Sequence, residues 1–182
     1  MVKRLFDFFF AILGLSFLGW VIIIFWLLAS LDTRSNGFFI QRRIGQWGKP
    51  FSIFKLKTIC PKKGHSSVIG KFLRKSKLDE LPQLFNILKG DMSVVGPRPD
   101  IAGYYDLLEA EERKILELKP GLTSLASIKY ANEEDLLAKQ KNPSQYNDQV
   151  IFPDKVKMNL EYYYQRSFFG DIKIIWKTIF RK

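Results

Sequence analysis

The feature that most restricts the fold of this chain is a stretch of 24 residues without a charged side chain, from Phe8 to Leu31. A helix of this length would measure about 36 Å at about 1.5 Å per residue, which exceeds the roughly 30 Å hydrocarbon core of a bilayer. The stretch is too long for a cleavable signal peptide, and no small-residue cleavage site with a polar flank follows it. The sequence therefore predicts a membrane helix near the N-terminus.

The charged flanks of this helix do not orient it. Basic residues lie on both sides, at Lys3, Arg4, Arg34, Arg42 and Arg43. The positive-inside rule gives no clean direction for such flanks, which also suit a re-entrant helix that enters and leaves on the cytoplasmic face. Gly14 and Gly19 are positions at which such a helix could bend. From this segment alone, a spanning helix is the favoured prediction.

Composition and charge predict one folded domain with an anionic partner. A hydrophobic content of 47% over 182 residues excludes a disordered chain. A single cysteine, Cys60, and a single histidine, His65, exclude an internal disulfide and a zinc cluster. Residues 1–99 carry sixteen bases and five acids, whereas residues 100–182 carry thirteen of each. The whole net charge of +11 thus lies in the first half, which favours a polyanion or an anionic membrane surface as partner.

Asp79 and Glu80 form an adjacent acid pair in the most basic part of the chain. Fourteen Lys or Arg residues but only three acids lie between Thr33 and Pro99. This positive charge is expected to keep the pKa of Asp79 low, to keep its carboxylate ionised at neutral pH, and to attract an anionic substrate. A structural alternative is open, because the sequence from Ser76 to Asp79 resembles a helix capping box.

Apolar residues around the acid pair recur at helical spacing, at Leu78, Leu81, Phe85 and Leu88. This spacing predicts a helix with one apolar stripe. Proline is tolerated only in the first turn of a helix, so Pro82 places the N-terminus within about four residues upstream. Asp79 would then lie at or near that N-terminus, where the helix dipole favours an anion.

The remaining segments complete a fold class of α+β, mostly helical with a small β-hairpin. The predicted elements are a hairpin of 38–41 with 51–56, a helix over 68–75, an extended run at 93–96, helices over 109–118 and 133–141, and a polar loop over 142–148. Residues 156–182 mix aromatic and basic side chains, which suits an amphipathic helix in the membrane interface. Ordinary core packing of this last segment is an equal alternative.

Ordered motifs along almost the whole chain resemble those of the small monotopic phosphoglycosyl transferases, also called bacterial sugar transferases. Besides Arg74, five residues before the acid pair, the matching stretches are RLFD at 4–7, QRRIG at 41–45, KLKT at 55–58, DELPQL at 79–84, KGDMS at 89–93, VGPRP at 95–99 and KPGLT at 119–123. A series of this density in this order is far more specific than any one short motif.

The resemblance implies an enzyme that transfers a phospho-sugar from a nucleotide (UDP) sugar to undecaprenyl phosphate and releases UMP, as the first membrane step of bacterial glycan assembly. It implies that Asp79 is the nucleophile, forming an aspartyl phospho-sugar, and that Glu80 acts as a base or positions the acceptor. Mg²⁺ would be bound by Asp79, Glu80 and the diphosphate. The candidate phosphate-binding residues are Arg43, Lys55, Lys57, Arg74 and Arg98.

The resemblance also changes the expected topology to a re-entrant helix. Residues 1–32 would form the membrane helix, and residues 33–182 a cytoplasmic globular part with an interfacial C-terminal helix, all within one catalytic domain at the bacterial inner membrane. Better-known members break the helix at a Ser-Pro pair, whereas Gly19 and Trp20 stand near that position here. Where the family usually has arginine, Lys57 keeps the charge but lacks the guanidinium fork.

A different class of protein is weighed against the transferase, namely a non-catalytic membrane-surface module that binds anionic lipid or a protein partner. The acid pair argues against this module, because a lipid binder has no use for carboxylates inside its basic patch. Nucleic-acid binding is not predicted, since the hydrophobic segment is unsuited to it and no recognition motif is present. The predicted partners are a UDP-sugar, undecaprenyl phosphate and membrane lipid, with a homodimer left open.

Overall fold

The computed structural model describes residues 2–61 and 64–180. The chain divides into two compact units, one of Met1–Arg43 with Pro50–Met92 and one of Ile44–Lys49 with Ser93–Lys182. The elements are mostly helices with two small sheets, which confirms the predicted fold class. The prediction of a single catalytic domain stays a prediction.

The first unit contains a long N-terminal helix, a strand pair and two shorter helices. Its elements are α1 (Val2–Thr33), β1 (Phe38–Ile44), β2 (Pro50–Leu56), α2 (Val68–Ser76) and α3 (Gln83–Lys89). Strands β1 and β2 pair in a two-stranded sheet, which confirms the predicted hairpin with somewhat longer strands. Helix α2 matches its prediction to within one residue.

Helix α1 is long and apolar enough to cross a membrane. It runs without interruption through Gly19, so the break expected there is absent from this helix. The buried residues of the helix lie on one face, at Asp7, Ala11, Ile22, Ala29 and Thr33. The opposite face exposes large apolar side chains such as Phe17, which is 73% exposed.

Both ends of α1 are attached to the first unit. Near the N-terminus, the Arg4 guanidinium donates hydrogen bonds of 2.6 and 2.8 Å to the carbonyls of Ile87 and Leu88 at the end of α3. Near the C-terminus, Asp32 accepts a 2.5 Å hydrogen bond from the Ser67 hydroxyl at the start of α2. Both ends of the helix are therefore held by other elements of the first unit.

The segment that holds the acid pair differs from the predicted continuous helix. Helix α2 ends at Lys77, which adopts the left-handed conformation with φ 59°. A short 3-10 turn, Leu78–Glu80, follows before Pro82 caps α3. The hydroxyl of Ser76 donates to carbonyls within α2, so the capping box does not form.

The apolar stripe predicted for this helix is wrong. The buried residues of α3 are Gln83, Leu84, Asn86 and Ile87, whereas Phe85 is exposed. The predicted stripe assumes that residues 78–88 form one continuous helix. The 3-10 turn within this range changes which side chains share a face, so the predicted residues do not line up. Helix α3 ends at Gly90, whose φ of 93° suits a residue without a side chain.

The second unit contains a parallel strand pair and a series of helices. Its strands are β3 (Ser93–Val95) and β4 (Gly121–Thr123), with Ser93 opposite Gly121 and Val95 opposite Thr123. A side chain at Gly121 would collide with the backbone of Gly96, so this close approach requires glycine. The extended run predicted at 93–96 is thereby confirmed.

Its helices are α4 (Leu125–Lys129), α5 (Glu133–Ala138), α6 (Pro143–Tyr146), α7 (Phe152–Gln165) and α8 (Phe168–Ile179), with 3-10 turns at Tyr105–Leu107 and Glu112–Glu117 and a π-helical turn at Asn147–Ile151. The helix predicted over 109–118 is thus a shorter 3-10 helix, and the loop predicted over 142–148 is helical. The segment predicted as one helix over 156–182 contains two, because Arg166 breaks it; residues 181 and 182 lie outside the described residues. A hydrophobic cluster of Tyr105, Leu108, Ile115, Leu116 and Val156 forms the core of this unit.

Candidate active site

The acid pair lies in the first unit, in the 3-10 turn between α2 and α3. Both carboxylates are buried, with Asp79 7% exposed and Glu80 6% exposed. The Asp79 atom Oδ1 is inaccessible to water and accepts no hydrogen bond from any described residue. A buried carboxylate oxygen with an unused acceptor site is costly to maintain in a folded protein, so it marks a position where a ligand would bind.

An ammonium group lies next to the second carboxylate. Lys55, near the end of β2, places its Nζ atom 3.1 Å from Oε1 of Glu80. Both side chains are largely buried, so their attraction is weakly screened. The lysine thus fixes Glu80 and adds positive charge beside Asp79.

The pKa of Asp79 is raised to about 6. Burial is the largest cause and the charge of Glu80 the second, while the cations Lys55, Lys77 and Arg74 oppose them. The low pKa expected from the basic sequence is therefore wrong, because desolvation and the neighbouring acid outweigh the positive field. A pKa of about 6 still leaves roughly nine-tenths of the carboxylate ionised at pH 7.

A buried asparagine holds the helix after the acid pair against the strand that carries the lysine. Asn86 of α3 is fully buried. Its Nδ2 donates a 2.7 Å hydrogen bond to the carbonyl of Ser52, and its Oδ1 accepts one of 3.1 Å from the backbone N–H of Phe54. Asn86 is not among the predicted site residues, although an amide inside the apolar run of α3 was a usable signal.

The predicted phosphate-binding residues divide into two groups. Lys55 and Arg74 act electrostatically on Asp79, and so does Lys77, which is not among the predicted phosphate-binding residues. By contrast, Lys57 donates a 2.9 Å hydrogen bond to the Ser35 hydroxyl. Charge effects on a pKa act over a short range, so the residues that act on Asp79 lie near it. These residues are therefore better candidates than Lys57 for contact with a bound diphosphate.

The other two predicted residues lie elsewhere in the chain. Arg43 donates hydrogen bonds of 3.1 and 2.7 Å to the side chain of Gln41, its neighbour on the same face of β1. Arg98 is half-buried between Pro97 and Pro99 and belongs to the second unit. Phosphate binding by these residues stays a prediction.

The acid pair fits Mg²⁺ only as part of a substrate complex. No group of three or more acidic, histidine or cysteine side chains suited to a metal occurs among the described residues. Mg²⁺ is commonly held by one or two carboxylates together with substrate phosphates and water. The unused oxygen of Asp79 and the adjacent Glu80 provide such a pair.

Comparison with known proteins identifies the family. The family model described as bacterial sugar transferase matches residues 1–182. An uncharacterized sugar transferase, EpsL of Bacillus subtilis, is 33% identical over 98% of this chain and 86% of that protein. The UDP-glucose:undecaprenyl-phosphate glucose-1-phosphate transferase of Escherichia coli is 30% identical over 100% of this chain and 40% of that protein. A UDP-N-acetylgalactosamine-undecaprenyl-phosphate N-acetylgalactosaminephosphotransferase of Aeromonas hydrophila is 27% identical over 98% of this chain and 43% of that protein. The family model matches the chain from end to end, including the buried acid pair. This chain therefore belongs to the bacterial sugar transferase family.

Proposed function

We propose that this protein transfers a sugar phosphate from a UDP-sugar to undecaprenyl phosphate and releases UMP. The observation that carries the proposal is Asp79, a buried carboxylate with an unused oxygen acted on by three cations. The names of the relatives from Escherichia coli and Aeromonas hydrophila support the class of donor and acceptor. A membrane-surface binder without catalysis would gain nothing from this costly arrangement.

In the first half of the reaction, an oxygen of Asp79 attacks the phosphorus that carries the sugar. An aspartyl phosphorus–oxygen bond forms and the bond to the bridging oxygen of the diphosphate breaks, so that UMP leaves with that oxygen. An ionised carboxylate is a competent nucleophile once the negative charge of the diphosphate is neutralised. Phosphoryl transfer depends mainly on positioning and electrostatics, which Lys55, Lys77 and Arg74 supply.

In the second half, an oxygen of undecaprenyl phosphate attacks the same phosphorus. The bond to Asp79 breaks, the carboxylate is regenerated, and the product is a sugar linked to undecaprenyl by a diphosphate. Glu80 is adjacent and held by Lys55, so it can accept a proton from the acceptor or orient it. Burial of the pair also limits access of water to the aspartyl intermediate.

Mg²⁺ would be held by Asp79 and Glu80 together with the substrate diphosphate. It would neutralise phosphate charge when bound. The protein contributes the remaining positive charge and the orientation of both carboxylates.

The proposed location is the cytoplasmic face of the bacterial inner membrane. Helix α1 supplies a long apolar surface, and its two ends contact the same unit. Since α1 is unbroken, this attachment supports a helix that lies along the membrane surface with both ends on one side. The water-soluble donor and the lipid-borne acceptor could then meet at that surface.

The test is UMP release by the purified protein in detergent with Mg²⁺, undecaprenyl phosphate and a panel of UDP-sugars. We expect release with at least one sugar, its loss on chelation with EDTA, and a covalent sugar-phosphate adduct detectable by mass spectrometry when the acceptor is omitted. Asp79→Asn should abolish both adduct and release, whereas the matched control Asp91→Asn should retain them. Turnover by Asp79→Asn near the parent rate would contradict the nucleophile assignment.

A further inference from the structure

The second unit contains a cavity of ≈ 230 Å³ between its last two helices, α7 and α8. We call it the interhelical cavity. Its lining combines apolar side chains, those of Leu125, Met158 and Ile174, with basic ones, those of Arg166, Lys173 and Lys177. A cavity lined in this way is suited to a molecule that is both apolar and anionic.

The lining of the interhelical cavity carries uncompensated positive charge. The two lysines are four residues apart on α8, so they lie on the same side of the helix, where like charges repel. Neither Lys173 nor Lys177 forms an ion pair with an acid among the described residues. Glu161 is the one acidic residue of the lining, against three bases. A bound anion would therefore relieve the repulsion.

The same helix presents an apolar surface beside these lysines. Phe169 is 83% exposed, Trp176 63% and Phe180 59%. At 100° per residue, Lys173 lies within about 60° of Phe169 and Trp176 around α8, and Phe180 follows as the C-cap residue of the helix. Such a helix is typical of the membrane interface, with aromatic side chains among the lipids and lysines at the headgroups.

We propose that the interhelical cavity binds the phosphate headgroup of an anionic glycerophospholipid. Lys173 and Lys177 contact the phosphate, and the acyl chains lie along the exposed aromatic face of α8. A soluble phosphate would leave both the apolar lining and that face uncovered, so the geometry favours a lipid. The inference does not depend on the proposed transferase reaction, because it concerns binding alone.

The experiment measures lipid bound to the full chain in a neutral detergent by native mass spectrometry. The probes are phosphatidylglycerol and phosphatidylcholine with the same acyl chains, undecaprenyl phosphate, and inorganic phosphate as competitor. We expect one phosphatidylglycerol to be retained in preference to phosphatidylcholine. Each lysine near an anionic lipid surface contributes about fivefold in affinity, so Lys173→Gln/Lys177→Gln should weaken phosphatidylglycerol binding about thirtyfold.

The control is Lys139→Gln/Lys141→Gln, which removes the same charge from exposed positions in the same unit. Near-ultraviolet circular dichroism verifies that both double variants are folded. Equal weakening in the control pair would show that only overall charge matters and would overturn the proposal. Unchanged binding by Lys173→Gln/Lys177→Gln, or equal binding of phosphatidylcholine, would also overturn it. Displacement of phosphatidylglycerol by undecaprenyl phosphate at lower concentration would reassign the cavity to that lipid, and displacement by inorganic phosphate would reassign it to a free anion.

Discussion

Replacing the proposed nucleophile should make the protein more stable as well as inactive. Asp79 is buried beside Glu80, and its pKa is raised from 3.8 to about 6 in the folded protein. Ionising this group at neutral pH therefore opposes folding. Asparagine has nearly the same shape and cannot ionise, so Asp79→Asn removes the opposing charge.

The sign and size of the effect follow from proton linkage. The folded protein binds the Asp79 proton more tightly than the unfolded chain does. The stabilisation of the fold by this bound proton is therefore fully present below pH 3.8 and is lost as the pH rises through 6. Above pH 6 the difference of about two pKa units corresponds to about 3 kcal/mol. At pH 5 about half of that difference applies. Asp79→Asn should thus exceed the parent by about 3 kcal/mol at pH 8 and by about 1.5 kcal/mol at pH 5.

The assay is thermal unfolding of parent and variant in the same detergent at pH 5 and pH 8. For a protein of this size, the gain should appear as a midpoint roughly 6–12 °C higher at pH 8 and roughly half as much higher at pH 5. The control is Asp91→Asn, since Asp91 is more exposed and pairs with Lys89 at 2.8 Å. We expect no gain in stability from this control, because Asp91 is more exposed than Asp79. If Asp79→Asn does not raise the unfolding midpoint, or raises it more at pH 5 than at pH 8, the burial argument is refuted.

Three further predictions concern the same site. The rate of UMP release in a single turnover should fall about tenfold from pH 7 to pH 5, because Asp79 is protonated near pH 6. Rapid-quench measurements would give this rate, and a rate that does not change with pH would argue against this nucleophile. Lys55→Met should lower the free energy of unfolding in urea by about 3 kcal/mol, because the buried Glu80 loses its ammonium partner. The double variant Lys55→Met/Glu80→Gln should recover most of that loss. No recovery would mean that packing, not charge, is responsible. Asn86→Ala should lower the free energy of unfolding by about 2–4 kcal/mol, because it leaves two backbone groups of β2 without hydrogen bonds. Phe85→Ala, at an exposed position, should lower it by less than about 1 kcal/mol. Equal losses would show that the amide has no special role.

Local patterns were sufficient for those elements whose structure is determined by nearby residues. The hydrophobic run predicts α1, and the alternating segments around Gly45 predict the β1–β2 pair. The turn at the acid pair could not be predicted in this way, because Lys77 adopts a left-handed conformation that usually favours glycine or asparagine. The resulting change of register explains the wrong apolar stripe.

The electrostatics of the site depend on contacts that no local pattern contains. Lys55 precedes Glu80 by 25 residues, yet their side chains form an ion pair. The basic sequence gives the sign of the surrounding field, whereas the pKa of Asp79 depends on how far the fold excludes water. The direction predicted for the pKa shift of Asp79 is therefore wrong, whereas the catalytic role of the two carboxylates stays a prediction.

The contacts of α1 and α3 connect the long apolar helix directly to the turn that holds the acid pair. Arg4 binds the last carbonyls of α3, where a positive charge is also favoured by the helix dipole. At the middle of α3, Asn86 attaches the helix to β2, the strand that carries Lys55. Since the acid pair immediately precedes α3, its position is determined by the same two attachments. The long apolar helix and the alignment of the carboxylates are therefore properties of one packed unit, which is what the proposed reaction needs, because its proposed acceptor is a lipid.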